Sequence, residues 1–124
     1  MIIGVGIDII NVNRMEKWIN NPDLLKRFFH PEELTYALSK GKRSAMSLSA
    51  RFAAKEAFAK ALGTGFAGLV LKDIMVLNKP NGKPEIMLCG TAKEAMDAAG
   101  VLYAHVSLTH EKDNAVAMIV LEGA

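Results

Sequence analysis

The chain opens on an alternation. In MIIGVGIDII, Ile3, Val5, Ile7 and Ile9 fall on one side of a two-residue repeat, with Gly4, Gly6 and Asp8 on the other. Period two predicts a strand, because successive side chains of an extended backbone point to opposite faces. The glycine face is nearly bare, which leaves space beside Asp8 for something that is not a side chain. The period then lengthens. NVNRMEKWINN suits a short helix with Asn11 or Asn13 as N-cap and with Met15 and Ile19 on its buried face. PDLLKRFF follows, and HPEELTYALSK sets Pro31 and two glutamates where a helix start favours them.

The longest helix is predicted from about Ser44 to Leu62, with Gly63 past its end and GTGFAG as a loop. LKDIMVL and KPEIMLC read as strands around NKPNGK, where Asn81-Gly82 is a hairpin signal. TAKEAMDAAG predicts a helix with Thr91 as N-cap, Glu94 completing a capping box and Gly100 as the stop. VLYAHVSLTH and NAVAMIVLEG are strands joined by EKD. The order is strand, helices, hairpin, helix, hairpin. It predicts one α+β domain over 1–124, with a mainly antiparallel sheet packed against the long central helix.

Composition narrows the function classes. The 124 residues suit one compact domain, and the 51% hydrophobic and 23% charged fractions are those of an ordinary soluble protein. No apolar run approaches the ~20 residues of a membrane span, and the N-terminus lacks the basic start of a secretion signal. A net charge of +2 is too small to suggest nucleic-acid binding. The single cysteine, Cys89, excludes an internal disulfide and a CxxC metal knuckle, and fits a reducing cytoplasm.

The chemistry concentrates in RFAAKEAFAKALGTG. At about 100° per residue, Ala53, Ala54, Ala57, Phe58, Ala61 and Leu62 form one core arc, with Glu56 and Lys60 opposite and Arg51 and Lys55 flanking. Two readings stand. In one, Glu56 and Lys60 are a solvent-facing i,i+4 pair. In the other, Glu56 pairs with Asp8. Two carboxylates repel unless a positive charge lies between them, and Mg²⁺, which takes one or two carboxylates and fills its shell with water and phosphate oxygens, is the expected occupant. Lys60, Lys55 and Arg51 would then meet the remaining phosphate charge.

GVGIDII, Arg14, RFAAKEAFAKALGTG and VSLTH, in that order over essentially the whole chain, resemble the holo-acyl-carrier-protein synthases, the small phosphopantetheinyl transferases of fatty acid synthesis. The last motif departs mildly from VSISH through Leu108 and Thr109. The resemblance implies the 4'-phosphopantetheinyl transferase fold. It also implies that the phosphopantetheine arm of coenzyme A moves to a serine of an acyl carrier protein, with Mg²⁺, releasing adenosine 3',5'-bisphosphate. It makes Asp8 and Glu56 the metal ligands and Lys60 a contact of the transferred phosphate. Glu56 would orient or deprotonate the serine, directly or through a metal-bound water.

By the same resemblance, Arg51, Gly63, Gly65, Thr109, His110, Asn81, Gly82 and Pro84 lie around the cofactor, and Arg14, Lys17, Lys26 and Arg27 dock the acidic carrier protein. It further implies a homotrimer with active sites at subunit boundaries. Two alternatives remain from the residues themselves. One is another Mg²⁺-dependent phosphoryl enzyme, a nuclease or pyrophosphatase. The other is a non-catalytic module that binds nucleotides or carrier proteins.

Overall fold

The computed structural model describes residues 1–124. Strand β1 (Ile2–Asn11) leads into helices α1 (Val12–Trp18), α2 (Pro22–Phe28), α3 (Pro31–Leu38) and α4 (Ser44–Leu62). The hairpin β2 (Ile74–Asn78) and β3 (Pro84–Leu88) comes next, then α5 (Gly90–Ala98) and the hairpin β4 (Val101–His110) and β5 (Asn114–Gly123). Strand β5 lies between β1 and β4 in an antiparallel sheet, while β2 and β3 form a sheet of their own. The expected α+β architecture holds, and the bounds of α4 are those its sequence pattern predicts. No helix is long and apolar enough to cross a membrane.

Small residues decide how α4 meets the sheet. A Cβ on Gly4 would stand 2.0 Å from the carbonyl oxygen of Ala61, and one on Gly6 1.9 Å from that of Ala57. The bare face of β1 is therefore the seat of the helix backbone. The space expected beside Asp8 is largely taken by α4, and what remains is a narrow edge. The spacing works because two strand residues advance about 6.7 Å and four helical residues about 6.0 Å, so Gly4–Ala61 and Gly6–Ala57 stay in step. Asp8, two residues farther along, is thereby carried one helical turn toward the start of α4.

The other face of β1 stays uncovered. Ile3, Val5, Ile7 and Ile9 are 38, 58, 58 and 60% exposed, and Met118 of β5 extends the same apolar surface at 41%. The inner face of β5, Ala115, Ala117, Ile119 and Leu121, is fully buried against α4. Fourteen of the nineteen residues of α4 are buried, so the helix has no broad solvent face. Phe58, Leu48, Ile74, Val76, Met15 and Phe29 fill the core around it, each worth about 1.5–3 kcal/mol of burial.

Local chemistry places the ends of the elements. Asn11 caps α1 by accepting from the Asn13 N–H, and Gly63 ends α4 in the left-handed region at φ 81°. The NKPNGK turn is not the two-residue type that Asn-Gly suggests. Gly82 alone has positive φ, and its N–H donates to the Lys79 carbonyl. The capping box expected at Thr91 does not form: Cys89 stands at the N-cap of α5. The Thr91 hydroxyl instead donates to Asp73 Oδ2 and accepts from the Val70 N–H.

Candidate active site

The strand and helix bring Asp8, Glu56 and Lys60 together. Lys60 Nζ lies 2.7 Å from Asp8 Oδ1 and also donates to the Ile7 carbonyl at 3.2 Å. Asp8 is 10% exposed, whereas the lysine is 56% exposed. Lys60 thus pairs across to the strand rather than with Glu56 on its own helix, which sets aside the solvent-facing i,i+4 pair. Glu56 is half-buried against Asp8. Burial first, then the adjacent Asp8 carboxylate, push Glu56 up to about 7, with Arg14 and Lys60 opposing the rise.

One oxygen at this edge lacks a partner. Asp8 Oδ2 is buried and has no hydrogen-bond partner. A carboxylate oxygen of that kind is costly unless a positive ligand meets it. The donor set suits Mg²⁺: two carboxylates with no third histidine, cysteine or acid joining them, which leaves coordination positions for water and phosphate oxygens.

Lys55 does not belong to this group. Its ammonium is fully buried and donates to Glu33 Oε1 at 2.7 Å, to the Leu71 carbonyl at 3.0 Å and to the Ile74 carbonyl. Glu33 in turn accepts from the N–H groups of His30 and Val76. The expected role of Lys55 toward phosphate is therefore corrected: all three of its protons are committed to holding α3, α4 and β2 together.

Arg51 occupies a different side of α4. Its guanidinium donates to Ser47 Oγ and to Asn78 Oδ1 and lies 4.7 Å from the centre of the Tyr36 ring. With His110, Asn78, Tyr36 and Arg43 it lines a cavity of about 290 Å³. Asn78 Nδ2 donates to the Gly82 carbonyl, which couples this cavity to the NGKP turn.

The pattern of the 4'-phosphopantetheinyl transferase superfamily matches residues 4–119. The chain belongs to that superfamily. It is 56% identical to a holo-[acyl-carrier-protein] synthase of Treponema denticola, over 99% of this chain and all of that one. An acyl carrier protein synthase of Plasmodium yoelii with ADP bound superposes with a TM-score of 0.88, at 34% identity, covering 100% of this chain and 97% of that one. A holo-(acyl-carrier-protein) synthase of Bacillus anthracis in complex with CoA (3',5'-ADP) does so at 0.83, with 37% identity and 100% and 99% coverage.

Within this phosphopantetheinyl transferase the remaining expected residues are dispersed. Thr109 is exposed and faces away from the Arg51 cavity, as the alternation of β4 requires beside His110. Gly63 and Gly65 follow the far end of α4, about 18 Å along the helix from Arg51. Pro84 lines a separate groove with Lys79, Lys83 and His105, and Asn81 accepts from the Lys83 N–H at the tip of the turn.

The basic N-terminal residues have different settings. Arg14 lies over the rings of Trp18 and Phe52, while Lys26 lines a groove between α2 and α3 with Lys72, Leu34 and Leu38. Lys17 and Arg27 are exposed. Sequence reasoning missed Asn78 and Tyr36 beside Arg51. Neither carried a signal, since an asparagine after a strand and a tyrosine on a short helix are unremarkable locally.

Proposed function

We propose that this chain transfers 4'-phosphopantetheine from coenzyme A to a serine of apo acyl carrier protein, releasing adenosine 3',5'-bisphosphate, and that it does so as one 4'-phosphopantetheinyl transferase domain over residues 1–124. The observation that carries the reading is the meeting of Asp8 and Glu56 beside Lys60, with Asp8 Oδ2 buried and unpartnered. Asp8 and Glu56 would hold Mg²⁺, whose charge would offset that of the pyrophosphate.

The protein's own residues account for the rest of the step. The serine oxygen bonds to the phosphorus that carries the pantetheine arm as the bond from that phosphorus to the adenosine bisphosphate oxygen breaks. Glu56 orients or deprotonates the serine, directly or through a metal-bound water. Lys60, one turn on and largely exposed, contacts the transferred phosphate. Arg51 and His110, with Gly63, Gly65, Asn81, Gly82, Pro84 and Thr109, surround the nucleotide.

We further propose a homotrimer with active sites at subunit boundaries, in which Gly63 and Gly65 of one chain join the Arg51 cavity of another. The uncovered row Ile3, Val5, Ile7, Ile9 and Met118 is the apolar surface such an assembly would bury. Arg14, assisted by Lys17, Lys26 and Arg27, receives the acidic carrier protein. The setting is the cytoplasm, in fatty acid biosynthesis.

The test mixes the protein with apo carrier protein, coenzyme A and Mg²⁺ and weighs the carrier by mass spectrometry. A gain of one phosphopantetheine group is expected, and Glu56→Gln should bind coenzyme A but lose nearly all turnover. Coenzyme A binding with an unchanged carrier mass in the unaltered protein would refute the reading.

A further inference from the structure

Arg14 is not a free surface cation. Its guanidinium carbon stands 5.0 Å from the centre of the Trp18 ring and 5.6 Å from that of Phe52. Trp18 lies one turn later on α1, and Phe52 lies on α4, one turn before Glu56. The two rings meet edge to face at 5.3 Å, and Phe28 of α2 packs on both, at 5.5 Å from Trp18 and 5.8 Å from Phe52. Phe52 is buried, so the clamp is anchored in the core. Arg14 also lies near enough to Glu56 for its charge to act on that carboxyl group.

A long exposed arginine ordinarily samples many rotamers, and fixing it on binding costs free energy. Two aromatic faces restrict Arg14 before any partner arrives, while its outward N–H groups remain available to a carboxylate. We infer that Trp18 is a positioning residue for carrier-protein recognition, holding Arg14 against Phe52 so that an acidic side chain of the carrier is met beside Glu56. The inference rests on the reading of Arg14 as a carrier contact and adds to it the residue that makes Arg14 effective.

The experiment measures KM for apo carrier protein and for coenzyme A in Arg14→Ala, Trp18→Leu, Trp18→Phe and the double variant Arg14→Ala/Trp18→Leu. Trp18→Leu should raise the carrier KM about two- to fivefold, leaving kcat and the coenzyme A KM in place. Trp18→Phe should restore most of the loss, because it returns a ring. The double variant should be no worse than Arg14→Ala alone, since the tryptophan acts through the arginine.

Trp18 is the only tryptophan, so its fluorescence reports the clamp directly in the unaltered protein. Emission should change saturably as apo carrier protein is added, and the change should weaken with salt. A flat titration, or additive losses in the double variant, overturns the clamp. An impaired Arg14→Ala beside an unimpaired Trp18→Leu overturns the clamp alone, whereas an unimpaired Arg14→Ala overturns the docking assignment beneath it and the clamp with it.

Discussion

Lys60 reaches across from α4 to Asp8 on β1, at 2.7 Å, and not back along its own helix to Glu56. That pairing leaves one carboxylate oxygen of Asp8 buried and unmatched beside a Glu56 carboxyl raised to about 7. A divalent ion must displace the proton that Glu56 keeps below that value. Mg²⁺ affinity should therefore rise as pH is raised from about 6 to about 8 and level off above, and Asp8→Asn should abolish it. Calorimetric titration with Mg²⁺ alone at several pH values checks this, and an affinity indifferent to pH would contradict it.

Gly6 should tolerate no side chain. Alanine there would push α4 off the sheet, costing about 3 kcal/mol, and would separate Glu56 from Asp8. Gly63→Ala meets nothing within 4 Å and bears only the penalty of its left-handed backbone, about 1 kcal/mol. Thermal melts of the two variants should differ clearly; equal stabilities would mean that the contact between β1 and α4 yields easily.

Lys55→Met should destabilise the fold by about 3–5 kcal/mol, because it strands the Glu33 carboxylate in the core together with two carbonyls. Urea unfolding reads this directly. A variant as stable as the unaltered protein, with impaired turnover, would restore Lys55 to the phosphate site.

Asp73 supplies an acid-sensitive element. The Thr91 hydroxyl holds its carboxyl below the ordinary value of 3.8. A depressed carboxyl contributes stability above its unfolded value and loses it as pH falls through the lower folded one. Melting temperature should thus drop below about pH 4, and Thr91→Val should flatten that drop, as differential scanning calorimetry at stepped pH would show.

Much of the fold was legible because neighbours in sequence set it. The ends of α4, the Asn11 cap, the two hairpins and the positive φ of Gly63 follow from side chains within a few residues of each position. Thr91 shows where such reasoning fails. Its capping signal was sound locally, but a carboxylate 18 residues earlier competed for the hydroxyl and won. Gly4 and Gly6 show another failure: their bareness was visible, but the occupant of the space was a helix backbone.

Periodicity, caps and turn glycines, which are short-range, were determined by the sequence alone, and the motif residues Asp8, Glu56 and Lys60 could be picked out from it. Which charges share a site was decided only in three dimensions. Lys55 and Lys60 sit on the same helix with similar local signals, yet one is sealed in the core by Glu33 and the other opens beside Asp8. The difference comes from where α4 crosses β1 and packs on α3, and that depends on close packing between segments distant along the chain.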